Sequence, residues 1–191
     1  MAIDVVTHAV SSPSMWVERW LSRLSPGASV LDLACGSGRH TRLAQARGFR
    51  VTAVDRDTQA LASLPEPVER ITADLENAPW PLTGRCFEAV VVTNYLYRPT
   101  FAQVLDTVAE SGVLVYETFA VGQHAYGRPS RAEFLLQPME LIDRVRSMLH
   151  VLAYEDGYTA HPKPARVQRI AACRLPSDVD ASKSLLEKLH L

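Results

Sequence analysis

Residues 30–41, VLDLACGSGRHT, restrict the fold of this 191-residue chain more than any other stretch. Val30, Leu31 and Leu33 make a short apolar strand with Asp32 set among them. Ala34, Cys35, Gly36, Ser37 and Gly38 form a turn, and a helix begins at about Arg39. A strand that passes through a glycine turn into a helix is a ready-made site for an anion or a nucleotide. The glycines let the backbone approach a ligand, and the helix start offers free N–H groups with partial positive charge.

The nucleotide is narrowed by what surrounds the turn. A dinucleotide fingerprint has the form G-x-G-x-x-G. Gly36 and Gly38 supply its first pair, but Thr41 stands in the third place. Asp32 lies close to the turn, where a carboxylate repels phosphate and attracts a cation. An adenosine ligand with a positive charge fits this better than a pyrophosphate. The second strand, Phe49–Asp55, ends in an acid nineteen residues past Gly36. An acid there grips the ribose hydroxyls of an adenosine. Asp57 is the cap of the next helix, TQALASL.

The order D-x-x-x-G-x-G, carried by Asp32, Gly36 and Gly38, resembles motif I of the class I S-adenosylmethionine-dependent methyltransferases. That family usually has a glycine where this chain has Ala34, so the first turn is expected to be tighter or shifted. The resemblance runs from Trp16 to Leu175 and implies a Rossmann-like, doubly wound sheet of seven strands, mostly parallel with one antiparallel. It implies S-adenosylmethionine as cofactor and S-adenosylhomocysteine as product. By the same resemblance Asp74 meets the adenine amino group and the Leu75 N–H a ring nitrogen. The cofactor-binding set is then Asp32, Ala34, Gly36, Gly38, Asp55, Arg56, Asp74, Leu75 and Asn94. The leading helix would close over the cofactor or simply pack on the sheet. Asn94-Tyr95-Leu96-Tyr97 replaces the N/D-P-P-Y tetrad of the adenine-N6 and cytosine-N4 enzymes, which disfavours that substrate class.

The rest of the pattern fits one α/β domain over residues 1–191. Trp16, Val17, Trp20, Leu21 and Leu24 recur at helical spacing, up to Ser25-Pro26-Gly27. Val68–Ala73 and Phe87–Thr93 read as strands, the latter buried on both faces. Trp80, between prolines, flanks the adenine or covers the sheet edge. Pro99 opens a helix to about Ser111, ended by Gly112, and Val113–Glu117 is the fifth strand. Residues 119–138 read as a substrate lid. A helix follows over 138–149, then strands over 150–155 and 165–175 joined by a link at 156–164, and a peripheral helix over 178–191.

Composition limits the partners. The chain is 47% apolar and 21% charged with a net charge of −1, which argues against a nucleic-acid partner. Three cysteines without a C-x-x-C pair suit a reducing compartment, and no histidine pattern calls for a metal. No apolar run is long enough to span a bilayer, so a cytoplasmic location is expected.

The expected reaction is methyl transfer to a small-molecule acceptor. Glu117 is the candidate general base, with Tyr95 a weaker one and Tyr126 and His124 behind it. Tyr97, Arg98, Tyr126 and Arg128 are the candidate acceptor contacts; Arg131 is a further cation in the same region. Two other readings share the strand–turn–helix unit: an NAD(P)-dependent oxidoreductase and a non-catalytic cofactor-binding module. An RNA acceptor is a variant of the first reading and would need a clustered basic face.

Overall fold

A computed structural model describes residues 11–161 and 163–189. Seven strands form one sheet in the order β3-β2-β1-β4-β5-β7-β6. They are β1 (Ser29–Leu33), β2 (Arg50–Asp55), β3 (Val68–Thr72), β4 (Phe87–Thr93), β5 (Val108–Phe119), β6 (His150–Thr159) and β7 (Ala165–Cys173). The first five pair in parallel, and β7 runs antiparallel to both β5 and β6. This is the expected class I methyltransferase architecture.

Alternation along the strands divides the core. Leu31, Val54, Val90, Val92, Leu114, Tyr116 and Ile170 face one side, where they meet α4 (Phe101–Asp106) and α5 (Glu140–Val145). Val30, Ala53, Val91, Val115 and Ala171 face the other, under α1 (Met15–Leu21), α2 (Arg39–Ala46) and α3 (Thr58–Ala62). A seventh-strand hairpin and α6 (Val179–Lys188) complete the chain. The expected end of this last helix, residues 190 and 191, lies outside the described residues. Trp16 and Trp20 are buried in the second layer, and the Trp16 indole donates to the Ile170 carbonyl at 3.3 Å. The leading helix therefore packs on the sheet, and it is its first residues that reach the carboxyl rim.

Three elements differ from the sequence reading. The helix expected over 99–111 ends at Asp106, where the Thr107 hydroxyl donates to the Val104 carbonyl at 2.7 Å. The chain then joins the sheet at Val108, opposite Phe87, and bulges over four residues before pairing resumes at Val113. Gly112 serves this bulge rather than a helix end: a Cβ there would stand 2.8 Å from the Phe87 carbonyl. The helix expected over 138–149 is confined to Glu140–Val145, because Met139 adopts a left-handed φ of 63°. Strand β6 runs on to Thr159 through Asp156 and Gly157. These are poor strand formers, held by pairing with Gln168 and Val167.

Residues 119–138 are stapled at both ends. The Val121 amide donates to the Leu136 carbonyl at 3.0 Å, and the Leu136 amide to the Phe119 carbonyl at 2.9 Å. Within it, Gln123 is 3% exposed and its Oε1 accepts from the Arg166 amide at 2.8 Å. Arg98 holds the far side. Its guanidinium donates to both carboxylate oxygens of Glu140, at 2.7 and 2.8 Å, and to the carbonyls of Glu133 and Leu135. Burial pushes the Glu140 carboxyl up, but its bonds from Arg98, the Gln137 amide and Arg144 outweigh this and bring it down to about 2. Arg98, expected among the acceptor contacts, is thus a clamp that ties α5 to this segment. Arg98→Ala should destabilise the protein by about 1–3 kcal/mol, since four charge-assisted bonds are lost and Glu140 keeps only Arg144 and the Gln137 amide among the described residues. Urea unfolding at neutral pH measures this, and a loss within about 0.5 kcal/mol of wild type would show that the segment is held by other contacts.

Candidate functional site

The site lies where the sheet order reverses. Strand β1 pairs with β2 on one side and β4 on the other, and the two connections leave in opposite directions. In open α/β sheets a crevice forms at such a point, beyond the carboxyl ends of the strands. Here both strands end in a left-handed residue, Ala34 at φ 53° and Asn94 at φ 55°. The two backbones turn apart and open the rim.

The glycine turn is held by the second strand. Asp55 Oδ2 accepts from the Gly36 amide at 2.7 Å, and its Oδ1 from the Asp57 amide at 2.9 Å. Asp57 caps α3 as expected, accepting from the Gln59 and Ala60 amides. A cavity of about 160 Å³ lies against this turn, lined by Ala34, Asp55, Arg56, Asp74, Leu75 and Tyr95 among others. The structure thus brings six of the expected site residues together. Asp74 is partly committed: it accepts from the amides of Glu76 and Asn77 and from the Asn77 side chain. The Asn77 side chain and then those amides hold its carboxyl below the ordinary value. The Tyr97 hydroxyl, expected among the acceptor contacts, donates to the Glu76 carbonyl at 3.1 Å, beside this cavity.

Asp32 and Thr41 form a buried couple. The Asp32 side is 1% exposed, and its Oδ2 accepts from the Thr41 hydroxyl at 2.6 Å. Burial raises the Asp32 carboxyl to about 6, against the pull of the Thr41 bond. The residue in place of a third glycine therefore satisfies the acid beneath the turn. Cys35, beside it, is also buried, and burial pushes its thiol up.

A second cavity, of about 400 Å³, opens on the other side of β4. Asn94, Glu117, Phe119, Tyr126 and Arg128 line it, with Arg39 from α2 and Lys163 from the β6–β7 connection. Consecutive residues Asn94 and Tyr95 therefore face different cavities. Tyr95, expected as a weaker base, belongs to the first, and burial pushes its phenol up, which keeps its proton in place. Glu117 faces the second cavity, but its Oε2 already accepts from Arg169 Nε at 2.6 Å and from the Ser14 hydroxyl at 2.9 Å.

That bond belongs to a polar chain the sequence reading missed. Arg169 also pairs with Glu155 at 3.2 Å, so three neighbouring strands carry Glu117, Arg169 and Glu155 in register. The Ser14 amide donates to His40 Nε2 at 3.1 Å, and His40 Nδ1 lies 3.2 Å from the Thr93 hydroxyl. With Nε2 an acceptor, Nδ1 carries the hydrogen and donates to Thr93. Burial lowers His40 to about 3. One signal was available: His40 and Ala44 share a helix face at i, i+4, and both are buried. Arg169 gave none, because its partners become neighbours only through strand pairing.

Two predictions follow from these geometries. Ala34→Gly should stabilise the protein by about 1 kcal/mol in urea unfolding, since glycine adopts the left-handed turn without the Cβ penalty. A neutral or destabilising result would mean that packing of the Ala34 methyl on the core outweighs it. The second concerns pH. Asp32, raised in the fold, favours unfolding as pH climbs from about 4 to 6, because the unfolded chain releases that proton first. His40, lowered in the fold, works the other way and adds stability as pH climbs from about 3 to 6.5. Asp32→Asn should remove the opposing slope and steepen the rise in stability between pH 4 and 6 by up to about 1.4 kcal/mol per pH unit. An unchanged slope in urea melts across this range would overturn the assignment.

Residues 30–111 match the family described as methyltransferase domain. Over 109 residues the chain is 30% identical to a malonyl-[acyl-carrier protein] O-methyltransferase of Serratia marcescens, covering 51% of this chain and 40% of that protein. The chain thus spans well under half of the curated relative it matches. TehB from Haemophilus influenzae shares the fold at a TM-score of 0.73 and 18% identity, over 88% of this chain and 64% of TehB. An S-adenosylmethionine-dependent methyltransferase of Methanosarcina mazei gives a TM-score of 0.64 at 14% identity, over 86% and 99% of the two chains. At these identities structural likeness speaks for the fold. The family match covers the glycine turn and the first four strands, and the sheet order over the whole chain is that of the class I methyltransferase fold.

Proposed function

We propose that the chain transfers a methyl group from S-adenosylmethionine to a small-molecule acceptor. The observation that carries this is the smaller cavity: a carboxylate, Asp55, bound to the Gly36 amide, beside apolar walls from Ala34, Ala73, Leu75 and Tyr95. Each Asp55 oxygen keeps a lone pair for a ribose hydroxyl, and the apolar walls suit a flat base. Asp55, Arg56, Asp74 and Leu75 would hold the adenosine, and Ala34, Gly36, Gly38 and Asn94 would border the remainder. The sulfonium supplies an electrophilic methyl group when the cofactor is bound.

What the protein contributes is position and exclusion of water. Such positioning accounts for roughly 7–11 kcal/mol of a barrier. Glu117 and Arg169 fix the floor of the larger cavity, and residues 119–138 would cover it, with Tyr126 and Arg128 on the inner side. An oxidoreductase reading is weakened by Thr41. Its hydroxyl serves a buried acid directly under the turn, where a pyrophosphate would have to sit.

Thermal and urea unfolding with S-adenosylhomocysteine and with NAD test this. At a hundred times its dissociation constant, S-adenosylhomocysteine should add about 2.7 kcal/mol of stability, and NAD none. Asp55→Ala should weaken S-adenosylhomocysteine at least tenfold, as charge-assisted bonds contribute about 1.5–3 kcal/mol each. Stabilisation by NAD alone, or an unchanged affinity in the variant, would reject the proposal.

A further inference from the structure

The two cavities on either side of β4 carry opposite charge. Asp55, Asp74 and Glu76 line the smaller one, with Arg56 as its cation. Arg39, Arg128 and Lys163 line the larger one, with Glu117 as its acid. Glu117 is engaged by Arg169 at 2.6 Å, and the lining of this cavity carries three cations to one acid. Among the described residues no side-chain hydrogen bond or ion pair joins Arg128 or Lys163 to a partner, and the Arg39 guanidinium donates only to the Ser12 carbonyl, at 3.5 Å. The chain as a whole has 20 basic and 21 acidic residues, so composition alone does not produce such a cluster. Cations gathered at one concave surface repel each other, and an anion among them relieves that repulsion.

We propose that the methyl acceptor is a small organic anion, its acidic group held by Arg39, Arg128 and Lys163 and its body against Phe119 and Val167. This rests on the methyltransferase reading of the neighbouring cavity. A volume of about 400 Å³ holds a single-ring acid. Guanidinium groups bind carboxylate and phosphate through paired N–H donors, whereas a neutral amide of the same shape gains none of the charge attraction.

Ligand-observed NMR on the protein loaded with S-adenosylhomocysteine tests this with benzoate, phenyl phosphate and benzamide. One or both anions should bind at least tenfold more tightly than benzamide, and the tighter of the two identifies the acidic group. In the double variant Arg128→Glu, Lys163→Glu that preference should vanish. Calorimetry should show S-adenosylhomocysteine binding unchanged in the variant, because both side chains are exposed and outside the smaller cavity. Equal binding of benzamide, or a preference that survives charge reversal, overturns the proposal. So does an RNA oligonucleotide that displaces benzoate at submicromolar concentration with a steep salt dependence. If S-adenosylhomocysteine fails to bind the wild type, the cofactor reading falls. The benzoate–benzamide comparison without it still decides the anion site.

Discussion

Connections between parallel strands have one hand, and this governs where a ligand can enter the molecule. From β1 the chain moves outward to β2 and β3, then returns across the sheet to β4 on the opposite side of β1. Helix α2 covers one face after β1, and α4 covers the other after β4. Nothing in that winding fills the space above the carboxyl ends of β1 and β4. At the left-handed residues Ala34 and Asn94 the two chains turn toward different strands, the Cys35 amide to the Val54 carbonyl and the Asn94 amide to the Glu117 carbonyl. The binding crevice is therefore a consequence of topology, and the side chains around it determine what it accepts.

Those side chains show how one acid can serve structure and another a ligand. Asp32 and Asp55 both sit near the glycine turn at strand ends. Asp32 points into the layer beneath α2, where it is buried and taken by Thr41. Asp55 remains at the rim, and each of its oxygens carries one backbone amide. Burial separates their roles: the first acts on the stability of the turn, the second stays open to hydroxyl donors from outside.

Much of the first half of the chain was legible in sequence because its signals are local. The glycine turn, Asp55 nineteen residues on, the Asp57 cap and the continuous apolar run of β4 each depend on neighbours in sequence. The second half depends on partners far away. Val108 leaves the helical pattern because Phe87 pairs with it, and Asp156-Gly157 form strand because β7 lies alongside. Arg98 resembles a free loop cation in sequence, yet its bonds run to residues 35, 37 and 42 positions further on. In the site, Asp55, Arg56, Asp74 and Leu75 line one cavity as their sequence positions led one to expect, whereas Tyr95 lines that same cavity and Tyr97 is bonded at its edge. That division turns on which way the backbone leaves Thr93, and a left-handed asparagine gives no sign of it in composition.

The buried polar chain at the rim has a physical rationale of its own. Moving the Glu117 carboxylate and the Arg169 guanidinium out of water costs several kcal/mol for each ion, and their attraction offsets this only when the remaining lone pairs and protons are satisfied. Ser14 meets that condition, with its hydroxyl on Glu117 and its amide on His40, across 103 and 26 residues of chain. Four segments distant in sequence, the start of α1, α2, β5 and β7, are thereby fixed at one point beneath the larger cavity. An apolar core at the same place would bury as much surface without specifying direction. Directional bonds from a charged pair hold the cavity floor in one arrangement, with Glu117 turned toward Arg169 and Ser14.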